Sequence, residues 1–496
     1  MELALTPAKW RQSVILNSMI PRPNRVVLAD PPSQAGNPYA TAFPNLGILY
    51  LAASLRRELP DVELHYIGAH YSFGEHVAMV RDLAPKHYGL SFASPFASVS
   101  FRLMDAVKQA CPKTEVICGG AHPTVDPGGV LSSSKADVCC VGEGEETLVD
   151  LLQAARSRGR ERNSVRGIAF KRANGAIAIN PPRLYTRELG RLPFPAWDLA
   201  DTRHYPGCRR SRGKPSTALV ASRGCAFNCT FCSNPVWRVQ RPWLRKRPPE
   251  SVAEETELLY KRGIREIYIR SDEMNCDLDW AVGVFEALGS LGHRDLFFQC
   301  NLRAWPITPA LARAMRQAQC WLCHVGIESG SDRVLDGIRK GVNLEQIKAG
   351  LGVVKQYGIK SYAFMMLYQA WEGNKGLEWE STREAMESLR FILRLCRQRL
   401  VYQISWAFAT PYPGAELYRV CQKYGLFRGN AAQEPPLTTH EITLRLPGVS
   451  RLDMLLLRSL GLSLQAWLNC REERATRTSS ALRHTLLKGK YLMRPW

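Results

Sequence analysis

Ala221-Ser222-Arg223-Gly224-Cys225-Ala226-Phe227-Asn228-Cys229-Thr230-Phe231-Cys232 decides how the chain is read. Three thiols at spacing C-x3-C-x2-C fit on one loop, just after Thr217 to Ala221, which has the pattern of a strand. Iron–sulfur clusters are normally held by four Cys thiolates, so a three-Cys loop leaves one iron without a protein ligand and open to a substrate. A zinc site is the competing reading. It needs a fourth ligand, for which Cys208 and His204 are on offer, but zinc knuckles usually pair C-x2-C with a second such pair. Chance spacing in a Cys-rich chain is the third reading.

Strands alternate with helices on both sides of this loop. Downstream, Glu266–Ile269, Leu296–Cys300, His324–Ile327, Ser361–Met366 and Gln403–Phe408 read as strands, with helices at Val252–Arg262, Pro309–Gln317 and Leu344–Tyr357. About six βα units fit here, enough for a partial barrel but short of eight. Upstream, Val26–Ala29, Val62–Ile67, Tyr88–Phe92, Glu115–Cys118 and Val138–Val141 alternate with helices at Leu46–Leu59, Phe101–Ala110 and Glu146–Ala155. That pattern predicts an open parallel sheet with a ligand cleft at the carboxyl ends of its strands. Residues 161–215, rich in Pro, Gly and Arg, read as a linker with a hairpin at Asn174-Gly175, and the chain ends in a helical stretch at Met454–Trp467 and a basic tail.

The 496 residues are too many for one ordinary core. No apolar run is long enough to span a bilayer, and Met1–Arg22 lacks a signal-peptide core, so a cytoplasmic protein is expected. Fifteen cysteines, an odd number without a secretory signal, argue against a disulfide framework. The net charge of +21 is scattered along the chain, as on solvated basic faces, and no nucleic-acid partner is expected.

The stretch around the cysteines resembles the radical S-adenosylmethionine (SAM) superfamily, and the likeness covers Ser216 to about Tyr424. It is carried by Arg247-Pro248-Pro249-Glu250-Ser251-Val252, Ser271-Asp272-Glu273-Met274-Asn275, Asn301-Leu302-Arg303, Gly326-Ile327-Glu328-Ser329, Arg339-Lys340-Gly341 and Thr410-Pro411-Tyr412-Pro413-Gly414. The resemblance implies a four-iron four-sulfur cluster on Cys225, Cys229 and Cys232. SAM would chelate the open iron, and one electron would cleave it to methionine and a 5′-deoxyadenosyl radical. It further implies SAM contacts from Phe231, Asp272, Glu273, Arg303, Glu328 and Ser329, and an electron donor such as flavodoxin or ferredoxin. Cys320-Trp321-Leu322-Cys323-His324 has the haem-attachment spacing, but it falls where the family has a buried strand, and packing thiols are the better reading.

Arg25 to Leu152 resembles the cobalamin-binding domain that precedes the barrel in one radical SAM subfamily. The carrying residues are Asp30-Pro31-Pro32, Asn45-Leu46-Gly47, Gly119-Gly120-Ala121-His122-Pro123 and Val141-Gly142-Glu143-Gly144-Glu145. Ser91, Gly119, Gly120 and His122 are its candidate cleft residues. The D-x-H-x-x-G loop of classical cobalamin domains is missing, since neither His65 nor His70 has the required Asp and Gly around it. The expected architecture is therefore an extension (1–24), a Rossmann-like α/β domain (25–160), a linker (161–215), a partial (β/α)6 barrel (216–425) and a helical region (426–496).

Where relatives carry a G-x-P-G-E-T turn, this chain has Met365-Met366-Leu367-Tyr368-Gln369-Ala370-Trp371-Glu372-Gly373. Tyr368, Trp371 and Trp406 are candidates to face a ring-shaped substrate at the barrel mouth, and Glu372 and Glu416 to meet a cationic one. The leading expectation is cobalamin-dependent C-methylation of a small natural-product precursor. The rivals are cobalamin-free radical dehydration of an aminoglycoside-type substrate and a non-catalytic metal–cysteine module that docks on nucleic acid.

Overall fold

A computed structural model describes residues 22–33, 42–156, 161–208, 210–432 and 439–477. Most of the N-terminal extension and the basic tail lie outside these residues. The chain forms two compact units, one running to Thr186 and including Arg191–Pro206, the other Arg187–Gly190 and the chain from Gly207.

The first unit is built on seven strands: β1 (Arg22–Ala29), β2 (Glu63–Ile67), β3 (Pro85–Ser91), β4 (Glu115–Gly119), β5 (Val138–Cys140), β6 (Ile168–Lys171) and β7 (Ile177–Ile179). Their order is β2-β1-β3-β4-β5-β6-β7. The first five are parallel, and β6 and β7 add an antiparallel edge. This is the doubly wound order whose switch point lies between β1 and β3. Alternation along β1 explains the layering. Val26 and Leu28 join one core with Ile48, Leu55 and Leu148 from the helices Leu46–Glu58 and Glu145–Arg156. Val27 and Ala29 join the other with Val80, Leu103 and Val107 from the helices Phe73–Leu83 and Ala97–Ala110. The hairpin expected in a linker is thus the edge of this sheet, because β6 pairs with β5 through Val138, Cys139 and Cys140.

The second unit holds β8 (Ser216–Val220), β9 (Ser222–Arg223), β10 (Arg245–Lys246), β11 (Glu266–Arg270), β12 (Phe297–Arg303), β13 (Cys320–Glu328), β14 (Lys360–Leu367), β15 (Ala370–Gly373), β16 (Gly376–Trp379) and β17 (Gln403–Phe408). Six of these form one parallel sheet in the order β17-β14-β13-β12-β11-β8. The connecting helices start on strong caps: Thr308 accepts from Leu311 N at 3.2 Å, and Asn343 and Ser381 form capping boxes with Gln346 and Glu384. Burial alternates along β14 and β17, so that Ala363, Met365, Ile404 and Trp406 are sealed on the outer face while Tyr362, Phe364, Met366 and Ser405 stay half-exposed on the inner one. The helix Arg451–Arg477 lies against the outer face of β17, where a Cβ on Gly461 would stand 2.8 Å from the Trp406 ring. No described helix is long and apolar enough to cross a membrane.

Candidate functional site

The three cysteines sit on the loop that leaves β9. Gly224 opens it with φ +83°, and a Cβ there would stand 1.8 Å from Trp243 O, so only glycine fits. Two distant motifs pin the middle of the loop: Thr230 N donates to Ile338 O at 3.0 Å, and Thr230 O accepts from Leu417 N at 2.8 Å. The Arg247 segment does the same for the strand beneath. Its guanidinium, 3% exposed, donates to Val220 O and Ser251 O and is paired with the buried Glu255. Arg238 donates to Cys225 O at 3.1 Å and also to Phe227 O.

The thiols are unequal. A hydrogen bond from Cys276 holds Cys225 down at about 7, against burial. Burial raises Cys229, opposed by Lys340 and Arg303, and pushes Cys232 up to about 11. Binding iron releases such protons, so the cations beside the loop favour the thiolate form a cluster needs. Among the described residues no three His, Cys, Asp or Glu side chains are gathered as around a single metal ion. The thiolates of a four-iron cluster stand farther apart than that, and three of them on one half-buried loop are a suitable donor set.

The carboxyl edge beside the loop is charged and water-poor. Lys340 Nζ lies 3.0 Å from Glu328 Oε1, with the two side chains 4% and 9% exposed. Burial works to discharge Lys340, but Glu328 and Glu273 outweigh it and hold the ammonium above its usual range. Glu273 itself is pushed up to about 7, mainly by loss of water. Glu328 has φ +69°, a strained position for a residue with a Cβ, and a side chain on Gly326 would strike its carboxylate at 2.3 Å. Arg303 stacks its guanidinium 3.6 Å above the Phe227 ring, and its Nη2 is buried without a hydrogen-bond partner. Asn275 ties that strand end down, donating to Arg303 O and Pro306 O and accepting from Arg303 N. An orphaned buried donor beside three thiols fits the carboxylate of an amino-acid-like ligand.

Among the other candidates, Lys340 Nζ lies 5.9 Å from the Phe231 ring, and Asp272 is exposed and accepts from Asn234 Nδ2 at 2.7 Å. Ser329 does not offer its hydroxyl to this edge. It is fully buried and bonded to Glu380 and Ser388 behind the strand. The structure holds all five substrate candidates in contacts of their own. Tyr368 is 1% exposed with φ +62°, its ring beside Phe408; Trp371 is buried against Gly337 under Arg333; Trp406 faces the outer helix. Glu372 is paired with Lys423 and Tyr424, and Glu416 with Arg339. The reason is the β15–β16 hairpin, which turns this segment outward, and the parity of β17, which puts Trp406 on the covered face.

The rings that do face inward were not singled out. Tyr268, His324, Tyr362 and Phe364 project from the inner face of β11, β13 and β14. The Cys320–His324 run thus splits: its two thiols are buried outward and its imidazole points inward. Lys340 and Cys276 were also missed as neighbours of the loop, although Lys340 lay within the quoted Arg339-Lys340-Gly341.

In the first unit, Ser91, Gly119, Gly120 and His122 share the carboxyl edge of β3 and β4. His122 Nδ1 lies 3.0 Å from Ser94 Oγ, and its ring leans on Phe92 and Phe101. The Asp30 and Asn45 motifs are joined. Asp30, pushed up to about 6 by burial, accepts from Asn45 Nδ2 and from Tyr66 Oη, each at 2.6 Å. His70, just past β2 on the same edge, has two buried ring nitrogens without a partner and stacks on His204 at 4.7 Å. An edge with unspent polar groups of this kind fits a large polar cofactor.

Comparison with known proteins gives both units a family. Residues 219–370 match the Radical SAM superfamily, and residues 36–152 match the B12 binding domain. An uncharacterized methyltransferase of Pyrococcus horikoshii is 26% identical over 79% of this chain and 82% of its own length. Cytidylyl-2-hydroxyethylphosphonate methyltransferase of Streptomyces wedmorensis is 26% identical over 70% of this chain and 69% of its own. Among solved structures, the radical SAM methyltransferase TsrM of Kitasatospora setae aligns with TM-score 0.64 at 16% identity, covering 81% of this chain and 76% of that one. The cobalamin-dependent radical SAM enzyme OxsB aligns with TM-score 0.69 at 17% identity, covering 88% and 66%. These two share the fold. The reading as a non-catalytic metal–cysteine module falls. The chain belongs to the radical SAM superfamily, in the group with a B12-binding domain ahead of the catalytic sheet, and is an enzyme whose cofactors are a four-iron four-sulfur cluster, S-adenosylmethionine and cobalamin.

Proposed function

We propose that the protein methylates an unactivated carbon of a small natural-product precursor. The observation that carries this reading is the presence, in one chain, of a B12-binding domain and the three-thiol loop flanked by Arg303, Lys340 and Glu328. The methyltransferase relatives support it. When bound, the cluster and SAM supply a primary carbon radical and the cobalamin supplies methyl transfer.

Cys225, Cys229 and Cys232 hold the iron, and the cations beside them offset its thiolate charge. Arg303 receives the SAM carboxylate on its unpartnered Nη2, Asp272 and Glu273 receive its amino group, and Glu328 holds the ribose, fixed by Lys340. Phe231 lies beside the adenine. Burial of this edge keeps water from the reacting carbon. Over a turnover the substrate C–H bond breaks and a C–CH3 bond forms. One SAM leaves as S-adenosylhomocysteine and a second as methionine and 5′-deoxyadenosine, with two electrons drawn from a donor of the flavodoxin or ferredoxin class.

The test is product analysis of the anaerobic holoenzyme with SAM and a low-potential reductant. Methylation predicts both S-adenosylhomocysteine and 5′-deoxyadenosine. Deoxyadenosine alone, with cobalamin present, would replace methylation by dehydration.

A further inference from the structure

The inner face of the catalytic sheet carries a surface that the cofactor contacts leave unused. Tyr268 and His324 have ring centroids 4.8 Å apart, His324 and Tyr362 5.2 Å, and Tyr362 and Phe364 4.8 Å. These four rings, on β11, β13 and β14 with β12 running between the first two, make one continuous aromatic platform. They are half-buried, whereas Cys323, Val325, Ala363 and Met365, at the intervening positions, are 0 to 1% exposed. A hydrophobic core would bury both sets. Aromatic surface kept open on the inside of an enzyme's sheet is what a ligand with a ring would cover.

Arg270, at the carboxyl end of β11, is exposed and turned to the same face, its guanidinium 5.4 Å from the Tyr268 ring. Among the described residues its guanidinium makes no hydrogen bond or ion pair, unlike those of Arg247, Arg333 and Arg339 of the same unit. Asn301, between Arg270 and His324 in the register, is spent on Tyr268 Oη and Ser271 O. Among the described residues the face therefore offers stacking and, in Arg270, a guanidinium without a counterion. His324 is hydrogen-bonded to Gln299 at 2.9 Å and held down at about 4 by burial, so its ring is neutral and stacks without charge.

We infer that the substrate is a planar aromatic or heteroaromatic ring bearing an anionic group, the ring stacked on His324, Tyr362 and Phe364 and the anion held by Arg270. This deepens the methyltransferase reading and rests on it. A guanidinium–carboxylate contact accounts for about tenfold in affinity, and loss of one stacking ring for about fivefold.

The experiment is anaerobic calorimetry on the holoenzyme with SAM, using indole-3-carboxylate, indole and cyclohexanecarboxylate as probes. Indole-3-carboxylate should bind about tenfold more tightly than either of the others. Arg270→Gln should erase its advantage over indole, and Tyr362→Leu should weaken both indoles about fivefold, with iron content and SAM affinity unchanged in each variant. Indole-3-carboxylate binding no better than cyclohexanecarboxylate, or Arg270→Gln weakening SAM in place of the probe, would overturn the inference. If the wild-type enzyme still forms both S-adenosylhomocysteine and 5′-deoxyadenosine in that case, the substrate class is wrong and the methyltransferase reading stands. No deoxyadenosine would remove both.

Discussion

The carboxyl edge of the catalytic sheet and the inner face below it are made by the same six strands in different ways. At the edge, positions come from strain and paired charge: Glu328 is held at φ +69° by an ion pair to Lys340, and Arg303 is pinned through Asn275. On the inner face they come from alternation alone, and each ring leans on the next. An edge of this kind fails when one partner is removed, because a buried charge without its counterion is expensive. A face of overlapping half-exposed rings loses little with any one of them.

The largest expected effect follows from that contrast. Lys340→Met leaves the Glu328 carboxylate buried and unpaired, and should cost about 3–5 kcal/mol in denaturant unfolding. Adding Glu328→Gln should recover most of the stability without recovering SAM binding. A Lys340→Met protein as stable as wild type would show that the pair does not hold the edge.

The two sides of the sheet sharpen the comparison further. Trp406→Ala, on the covered face, should cost about 3–5 kcal/mol, because the helix around Gly461 cannot close the cavity. Tyr362→Ala, on the inner face, should cost about 1 kcal/mol or less. Equal losses would mean that Tyr362 belongs to the core and that the aromatic platform is packing.

The last effect is a slope. Glu380 is fully buried, accepts from Tyr368 N, Gln369 N and Ser329 Oγ, and is pushed up to about 8 by burial, from an ordinary 4.5. Between those values the folded protein keeps a proton that the unfolded chain releases. Its stability contribution is therefore complete below about pH 4.5 and is lost as pH rises towards 8, at up to about 1.4 kcal/mol per pH unit. Glu380→Gln should flatten that part of the profile, and an unchanged slope would assign it to another group.

What could be read from the sequence divides along the same line. The edge was legible because its chemistry needs contiguous residues: three thiols on one loop, then Gly326 to Ser329, then Arg339 to Gly341. The inner face was not, because its residues sit two apart on separate strands and a strand alone does not say which face is covered. The register shift between Gly326 and Glu328 adds to this, since it breaks the parity carried from β13 to β14. Trp406 lies in an unbroken register with Met365, and only the helix packed over β17 makes its face the covered one, while His324 sits inside a haem-like spacing whose thiols only pack. Ser329 lay in a legible motif, yet its hydroxyl serves the Glu380 web behind the strand. In the first unit the Asp30 and Asn45 motifs were legible, and their hydrogen bond explains why they occur together.

The central claim is that one chain carries both a radical-generating cluster and cobalamin. It is tested most directly by measuring iron and cobalt per chain after anaerobic purification from cells supplied with hydroxocobalamin. About four irons and stoichiometric cobalt are expected, with iron lost and cobalt kept in Cys229→Ala. Four irons without cobalt, even after reconstitution, would contradict the account.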